Sequence, residues 1–178
     1  MNLKSSFAIT ILVAAVLLPV KWKADTAKSQ VSFTVKGPFG TVHGKFSGLK
    51  SDIKFDARDL SGSSVSASVA AKTVSTGIGL RNRDLRKKEE WLNTDKYPLI
   101  SFHSSKIEKK GNGYVAIGDL TLKGKTRPVE IPFTFSGKGN AGVFKGKIII
   151  NREDFDVGKK GGSVGSAVTI DLNIPVKK

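Results

Sequence analysis

Apolar and polar residues alternate with a period of two along much of this chain. A period of two places successive side chains on opposite faces of a β-strand. One apolar face and one polar face is typical of an antiparallel sheet. The alternation is clearest over residues 31–36, 64–69, 129–136 and 168–176.

Short turn motifs separate these runs. Asn112-Gly113 is a strong hairpin signal because both residues tolerate a positive φ. Further turns are predicted at 123–125 and 137–140. Short connections make successive strands neighbours, so residues 99–151 are predicted to form a meander. Recurring strands with one interruption predict a closed barrel or a sandwich.

The interruption spans residues 76–98, where no period of two survives. Its few apolar residues are too sparse for a fully buried helix. We predict a short helix over 82–92, ended by the approach to Pro98, lying across one end of the barrel.

Residues 1–20 have the pattern of a secretory signal peptide. Lys4 precedes an almost entirely apolar run over 7–20, which is too short to cross a bilayer comfortably as a helix. The alternative is an uncleaved membrane anchor. No A-x-A motif marks the cleavage site, so we expect a mature domain over about 21–178, exported to the periplasm.

The residues that commonly carry chemistry are scarce. The chain has no Cys, which excludes disulfides, thiolate metal sites and a cysteine nucleophile. Its two histidines, His43 and His103, have neither metal-ligand spacing nor a nucleophile-elbow context. The glycine-rich stretch 161–165 lacks the lysine of a phosphate-binding loop. We therefore assign no catalytic residue, metal site or cofactor.

The chain is strongly basic, with 30 Lys and Arg against 15 Asp and Glu and a net charge of +15. Nucleic-acid binding is disfavoured because aromatic residues are not interleaved with the basic ones on a strand face, as a stacking platform requires. Two interpretations remain: a solvated, solubilising surface, and peripheral contact with anionic membrane lipids.

A barrel of about eight strands is either filled by side chains or holds a lipophilic ligand, and composition does not distinguish the two. Burial of an alkyl chain contributes about 0.8 kcal/mol per CH₂. The predicted inward-facing residues, which would line a tunnel, are Phe33, Val35, Phe46, Ile100, Phe102, Phe133, Phe135, Phe144, Ile148 and Ile170.

Four ordered blocks resemble the YceI-like family of exported, polyisoprenoid-binding proteins. They are WKADTAKSQVSFTVKGPFGTVHGKFSG, TGIGLRNRDLRKKEEWLNTDKYPLISFHS, GDLTLKGKTRPVEIPF and INREDFDVG. Together they cover almost the whole of the chain from Trp22 onward. The sequence departs from the family pattern at Lys28, where a His is frequent, and at Asn82, where an Asp commonly follows the Arg.

The resemblance implies a lipocalin-like antiparallel β-barrel with a helix near its mouth. It also implies a bound long-chain isoprenoid-type lipid (a polyprenyl chain or an isoprenoid quinone), held for carriage or storage without enzymatic activity, and a homodimer. Arg81, Arg83, Asp84 and Trp91 are the predicted polar mouth, with a solvated helix face as the alternative for the charged residues. The competing functions are an enzyme acting on a lipophilic substrate and a filled barrel that binds envelope polyanions.

Overall fold

The computed structural model describes residues 20–178. The predicted signal peptide therefore lies, apart from Val20, outside the described residues. No helix in the described part is long and apolar enough to cross a membrane. The strands are β1 (Lys21–Ala24), β2 (Gln30–Gly37), β3 (Gly40–Phe46), β4 (Lys50–Lys54), β5 (Ser64–Ala70), β6 (Leu99–Lys110), β7 (Gly113–Leu122), β8 (Lys125–Lys138), β9 (Ala141–Asn151) and β10 (Ala167–Lys177). The α-helix α1 spans Gly79–Lys87, and two short 3₁₀ helices span Ala71–Thr73 and Arg152–Phe155.

Eight of the strands close into an antiparallel barrel. Strands β4 to β10 pair in the order of the chain, and β1 completes the ring by pairing with both β4 and β10. The predicted antiparallel barrel of about eight strands is thus confirmed, and the sandwich is excluded. The predicted meander is also present, because β6, β7, β8 and β9 are successive neighbours.

The β2–β3 hairpin lies outside the closed ring of eight strands and extends the barrel wall by pairing with β10. Strand β2 pairs with the first half of β10, whereas β1 pairs with its last residues, so one long strand serves both. Strand β3 pairs with β2 and meets the segment after β5 only through a bridge between Lys45 and Ser75. The wall between β3 and β5 is therefore not continuous in this half of the barrel.

The two ends of the barrel differ. We call the end formed by segments 71–98 and 152–166 and by the hairpins at 38–39 and 123–124 the mouth end. The opposite end, formed by the loop 55–63 and the hairpins at 111–112 and 139–140, is the closed end.

Two local predictions were shifted. The turn between β6 and β7 is made by Gly111-Asn112, with Gly111 at a φ of 55°, and not by Asn112-Gly113. Helix α1 starts three residues before the predicted 82 and ends five residues before the predicted 92. It ends early because the chain folds back on it: the Leu92 and Thr94 amides donate to carbonyls of the last helical turn.

Candidate functional site

The barrel contains a cavity of about 290 Å³ at its centre and toward the mouth end. Its walls come from the inward faces of β2 to β10 and from the segment that crosses the mouth. The lining is almost wholly apolar, because the period-two pattern directs most aliphatic and aromatic side chains of β2 to β10 inward.

The interior is hollow because several inward positions carry small side chains. Ala67, Ala116 and Gly146 all line the cavity. The larger lining residues Ile131 and Ile148 are only half-buried although they point into the barrel. Partial exposure of inward side chains is what an internal void produces, since a close-packed interior would leave them fully covered.

The position of the Phe33 ring is determined by a glycine on the neighbouring strand. Gly44 lies opposite Phe33 on the neighbouring strand. A Cβ built on Gly44 would lie 2.1 Å from Cζ of Phe33, so the ring rests directly on the glycine backbone. Gly44 thereby keeps the ring against the wall and out of the cavity.

An aromatic cluster fills the closed end. Phe55, 1% exposed, is at its centre. Its ring lies 5.0 to 5.7 Å from those of four neighbours, in the edge-to-face geometry that aromatic pairs favour. The Trp22 indole donates to the Phe55 carbonyl oxygen at 3.0 Å, which satisfies its buried N–H. The cluster consists of Trp22, Phe55, Tyr114, Phe133, Phe135 and Phe144.

The structure places most of the predicted tunnel residues on the cavity wall. Phe135 differs: it packs against Trp22 and Phe144 in the aromatic cluster and does not line the cavity. The predicted residues that do line it are Phe33, Val35, Phe46, Ile100, Phe102, Phe133, Phe144, Ile148 and Ile170. Their role in binding a ligand stays a prediction.

The predicted polar mouth is divided. Trp91 lines the cavity, whereas Arg81, Arg83 and Asp84 do not. Arg83 is exposed, and Asp84 forms an ion pair with Lys88 at 3.0 Å on the outside of α1. Of these three residues only Arg83 is exposed, whereas Arg81 and Asp84 are half-buried outside the cavity.

Sequence reasoning missed several cavity residues at the mouth, among them Leu85 and Arg152. Leu85 is the apolar residue that α1 turns toward the interior. Arg152 is 3% exposed and directly follows β9, two residues after the inward-facing Ile150, but a charged side chain is not expected to be buried there. Only its place in the block INREDFDVG distinguished it in the sequence.

Arg152 holds the loop over the mouth by a fan of hydrogen bonds. Its guanidinium donates to the carbonyl oxygens of Val157 (2.6 Å), Lys159 (3.2 Å), Val164 (2.6 Å) and Gly165 (3.0 Å). It also pairs with the Glu153 carboxylate at 3.3 Å. A planar guanidinium suits this task because its five donors point in fixed directions. The buried charge is thereby both neutralised and hydrogen-bonded, as burial requires.

Trp91 packs against this loop. Its ring lies over Gly158, where a Cβ would come within 2.6 Å of the indole, and Gly158 has a φ of 72°. The Gly158 amide donates to the Glu90 carbonyl oxygen at 2.5 Å. Segments 88–92 and 157–165 are thus joined across the mouth.

One buried polar side chain on the cavity wall has no hydrogen-bond partner among the described residues. The Ser51 hydroxyl is buried and makes no hydrogen bond, and Ser51 shares its strand face with the core residue Ile53. The two histidines lie elsewhere: His43 and His103 are exposed, next to Thr34 and Ser66. Within residues 20–178, no cluster of three or more His, Asp or Glu side chains is arranged to hold a metal ion.

Comparison with known proteins agrees with this geometry. The model of the YceI-like domain family matches residues 22–176. A UPF0312 protein of Vibrio campbellii is 31% identical over 193 aligned positions, which cover 99% of this chain and all of the relative.

Two solved structures are similar to the fold. BcnA of Burkholderia cenocepacia is 29% identical, with a TM-score of 0.81 over 86% of this chain and 99% of its own. A domain from Saccharophagus degradans, described as polyisoprenoid binding and implicated in plant cell wall breakdown, is 13% identical, with a TM-score of 0.64 over 90% of this chain and 99% of its own.

Proposed function

The chain belongs to the YceI-like family, and from this premise we propose that it binds a long-chain isoprenoid-type lipid in the barrel, for carriage or storage. The ligand class is a polyprenyl chain or an isoprenoid quinone, bound noncovalently and without turnover. The single observation that supports this proposal most directly is the apolar cavity inside the barrel.

The size of the cavity sets the scale of the interaction. An apolar cavity of about 150 Å³ stays dry and takes up benzene, so about 290 Å³ corresponds to roughly a dozen carbon atoms. Burying that many methylene-sized groups contributes about 10 kcal/mol before the costs of association are subtracted. A tail of polyprenyl length exceeds this volume and must either displace lining side chains or extend through the mouth.

The ends of the barrel give the ligand a direction. The aromatic cluster blocks the closed end, so the tail enters from the mouth end and its tip reaches Phe133 and Phe144. The polar end of the ligand stays at the mouth, near Trp91 and the loop held by Arg152. Transfer of the apolar tail from water drives binding, and the polar end remains hydrated.

The relatives support the same ligand class. The Saccharophagus degradans domain has the same fold and carries a polyisoprenoid-binding description. The cavity of this chain provides what such a ligand requires, which is an apolar channel closed at one end.

We propose in addition that the protein acts in the periplasm. The support is the apolar run over residues 7–20 behind Lys4, which has the length and flanking charge of a signal peptide. Terminal sequencing of the protein from a periplasmic extract should give a start near Lys21 or Trp22. A start at Met1 in a membrane fraction would refute this part of the proposal.

The ligand proposal is tested on protein purified from its own source. Native mass spectrometry followed by organic extraction should recover one long-chain isoprenoid per barrel. Recovery of assorted fatty acids only, or of no lipid together with no uptake of an added polyprenol, would refute it.

Two variants of β5 test whether the lipid binds inside the cavity. Ala67→Phe places a ring in the cavity, because Ala67 lines it, and should abolish lipid recovery. Ser66→Phe is the matched control, since Ser66 is the neighbouring residue, hydrogen-bonded to His103 on the outer face. Equal lipid recovery from both variants would place the ligand outside the barrel.

A further inference from the structure

Exposed apolar side chains are concentrated at the mouth end. Five large hydrophobic residues are exposed among the described residues, and four of them lie at this end. Phe39 is at the tip of the β2–β3 hairpin, Ile78 and Leu80 flank the start of α1, and Leu99 begins β6. The fifth, Ile149, lies on the outer wall of β9. The closed end exposes none in the described part of the chain.

Phe39 is the clearest case. Its side chain is fully exposed, on a tight hairpin between Gly37 and Gly40, where it contacts nothing that the fold needs. A large apolar side chain held in water at a loop tip is unfavourable unless another surface covers it.

Cations without carboxylate partners surround these side chains. Lys36, Arg81, Lys159 and Lys160 lie at the mouth end, and within the described residues none has an acidic group within 4.0 Å. The Gly165 amide donates to the Lys36 carbonyl oxygen at 2.7 Å, which sets the lysine-bearing loop beside the hairpin that carries Phe39.

We propose that the mouth end docks on an anionic lipid bilayer. Phe39, Ile78 and Leu80 enter the interfacial region, and the rim cations contact the head groups, as in other interfacial anchors that combine apolar and basic residues. A bilayer fits better than a protein partner because Phe39 stands on a different tip from Ile78 and Leu80, and the unpaired cations of the described residues lie at the same end of the barrel. If the proposed function holds, docking lets a lipid pass between bilayer and barrel without crossing water.

The orientation is tested with single cysteines, since the natural chain has no Cys. An environment-sensitive dye is attached to Phe39→Cys, and for the matched control to Asn140→Cys in a hairpin of the closed end. Mixed phosphatidylcholine–phosphatidylglycerol vesicles should shift the emission of the Phe39→Cys label to the blue and leave the Asn140→Cys label unchanged. A shift at both positions, or at Asn140→Cys alone, would overturn the proposal.

The affinity for vesicles separates the two contributions. Phe39→Ala should weaken binding to the mixed vesicles roughly 10-fold, through the loss of one inserted aromatic side chain. The double variant K159Q/K160Q should weaken binding roughly 30-fold at low salt, since each lysine near an anionic surface contributes about 1 kcal/mol. The matched charge control is K54Q/K138Q, whose lysines end β4 and β8 at the closed end, and it should bind more tightly than K159Q/K160Q.

Three further results would overturn the docking. The first is the absence of binding to the mixed vesicles, and the second is an equal loss of binding in the two double-lysine variants. The third is self-association without vesicles that Phe39→Ala removes, because this would assign the surface to a second copy of the chain. The Phe39→Ala variant should still take up a polyprenol from solution. Failure of the docking is therefore distinguishable from failure of the lipid-binding proposal.

Discussion

Substitution of Gly44 by Ala tests how the cavity is kept open. The added Cβ would lie 2.1 Å from Cζ, 2.5 Å from Cε1 and 2.8 Å from Cε2 of Phe33. Real Cβ contacts are not that short, so the Phe33 ring must leave the strand backbone. The ring already lies on the cavity wall, beside Phe46 at 5.7 Å between ring centroids. The free space next to it is the cavity itself.

The expected magnitude follows from overpacking. Forcing one extra carbon into a packed site costs about 1–3 kcal/mol when neighbours must leave their rotamers. Part of this cost is relieved here because the ring can move into a void. We therefore expect Gly44→Ala to lower the unfolding free energy by about 1–2 kcal/mol. We expect it to lower the binding free energy of a polyprenol by a larger amount, because the Phe33 ring then occupies the space of the ligand.

The assay is a double-mutant cycle read by denaturant unfolding and by polyprenol binding. Phe33→Leu removes the ring that the new methyl group meets. The pair Gly44→Ala and Phe33→Leu should couple favourably by about 1 kcal/mol or more, and binding should recover in the double variant. Gly146→Ala is the comparison variant: it adds the same methyl group to the cavity wall, but its Cβ would come no closer than 3.3 Å to Pro132 and 3.4 Å to Leu172 atoms and displaces no ring.

The reasoning is wrong if Gly44→Ala binds the polyprenol as well as the natural chain does. It is also wrong if Gly146→Ala is equally damaging, since any strand glycine would then behave alike. Additivity of the Gly44→Ala and Phe33→Leu free energies would show that the two side chains do not compete for one space.

Four further outcomes are expected from equilibrium unfolding. Phe55→Ala should lower the unfolding free energy by about 3–5 kcal/mol, since it empties the centre of the aromatic cluster; a loss below 1 kcal/mol contradicts that packing. Arg152→Met should cost about 3–5 kcal/mol because it leaves buried and part-buried carbonyl groups without their donor and the Glu153 carboxylate without its counter-charge; Arg152→Lys should recover little of this. Ser51→Ala should raise the unfolding free energy of the lipid-free protein by about 1 kcal/mol, because the natural hydroxyl is buried without a partner; destabilisation would reveal a missed hydrogen bond. Hydrogen bonds from the Arg58 guanidinium and, second, from the Arg58 backbone amide lower the pKa of Asp56 from 3.8 to about 2. The stability that the Asp56 carboxylate contributes is therefore complete above pH 3.8 and is lost as the pH falls through 2. The Asp56→Asn variant should show a flatter dependence of unfolding free energy on pH in that window, and an unchanged slope would contradict the pKa shift.

The strands were predictable because their signal is local, whereas the choice of a barrel over a sandwich came from the family resemblance. An alternation such as that of residues 129–136 specifies a strand and the face it buries, whatever its partners are. Short turns then make neighbours of successive strands, which is how β6 to β9 form the predicted meander. Even so, the turn at Gly111 and both limits of α1 lie one to five residues from their predicted places. The early end of α1 follows from hydrogen bonds that the Leu92 and Thr94 amides donate to its last turn, which the local pattern does not contain.

The cavity depended on contacts between distant parts of the chain. Phe55 directly follows β4 and continues its alternation after Ile53, but it becomes the centre of the closed end only by meeting Tyr114 and Phe144, which are distant in the chain. Phe135 was predicted on the tunnel wall because the alternation of β8 places it on the inward face. Its position near the closed end of the barrel instead places it in the aromatic cluster. A period of two determines the face on which a side chain lies and carries no information on its height along the barrel axis.

The sequence by itself determined that each antiparallel strand would bury one apolar face, and the family resemblance added the barrel. Only the tertiary structure decided that aromatic rings fill one end, that Gly44 leaves room for Phe33 beside the void, and that Arg152 secures the loop over the mouth. The physical reason is that burial of an apolar face is a property of one strand, whereas an empty volume is the difference between the space enclosed by all strands and the side chains that enter it.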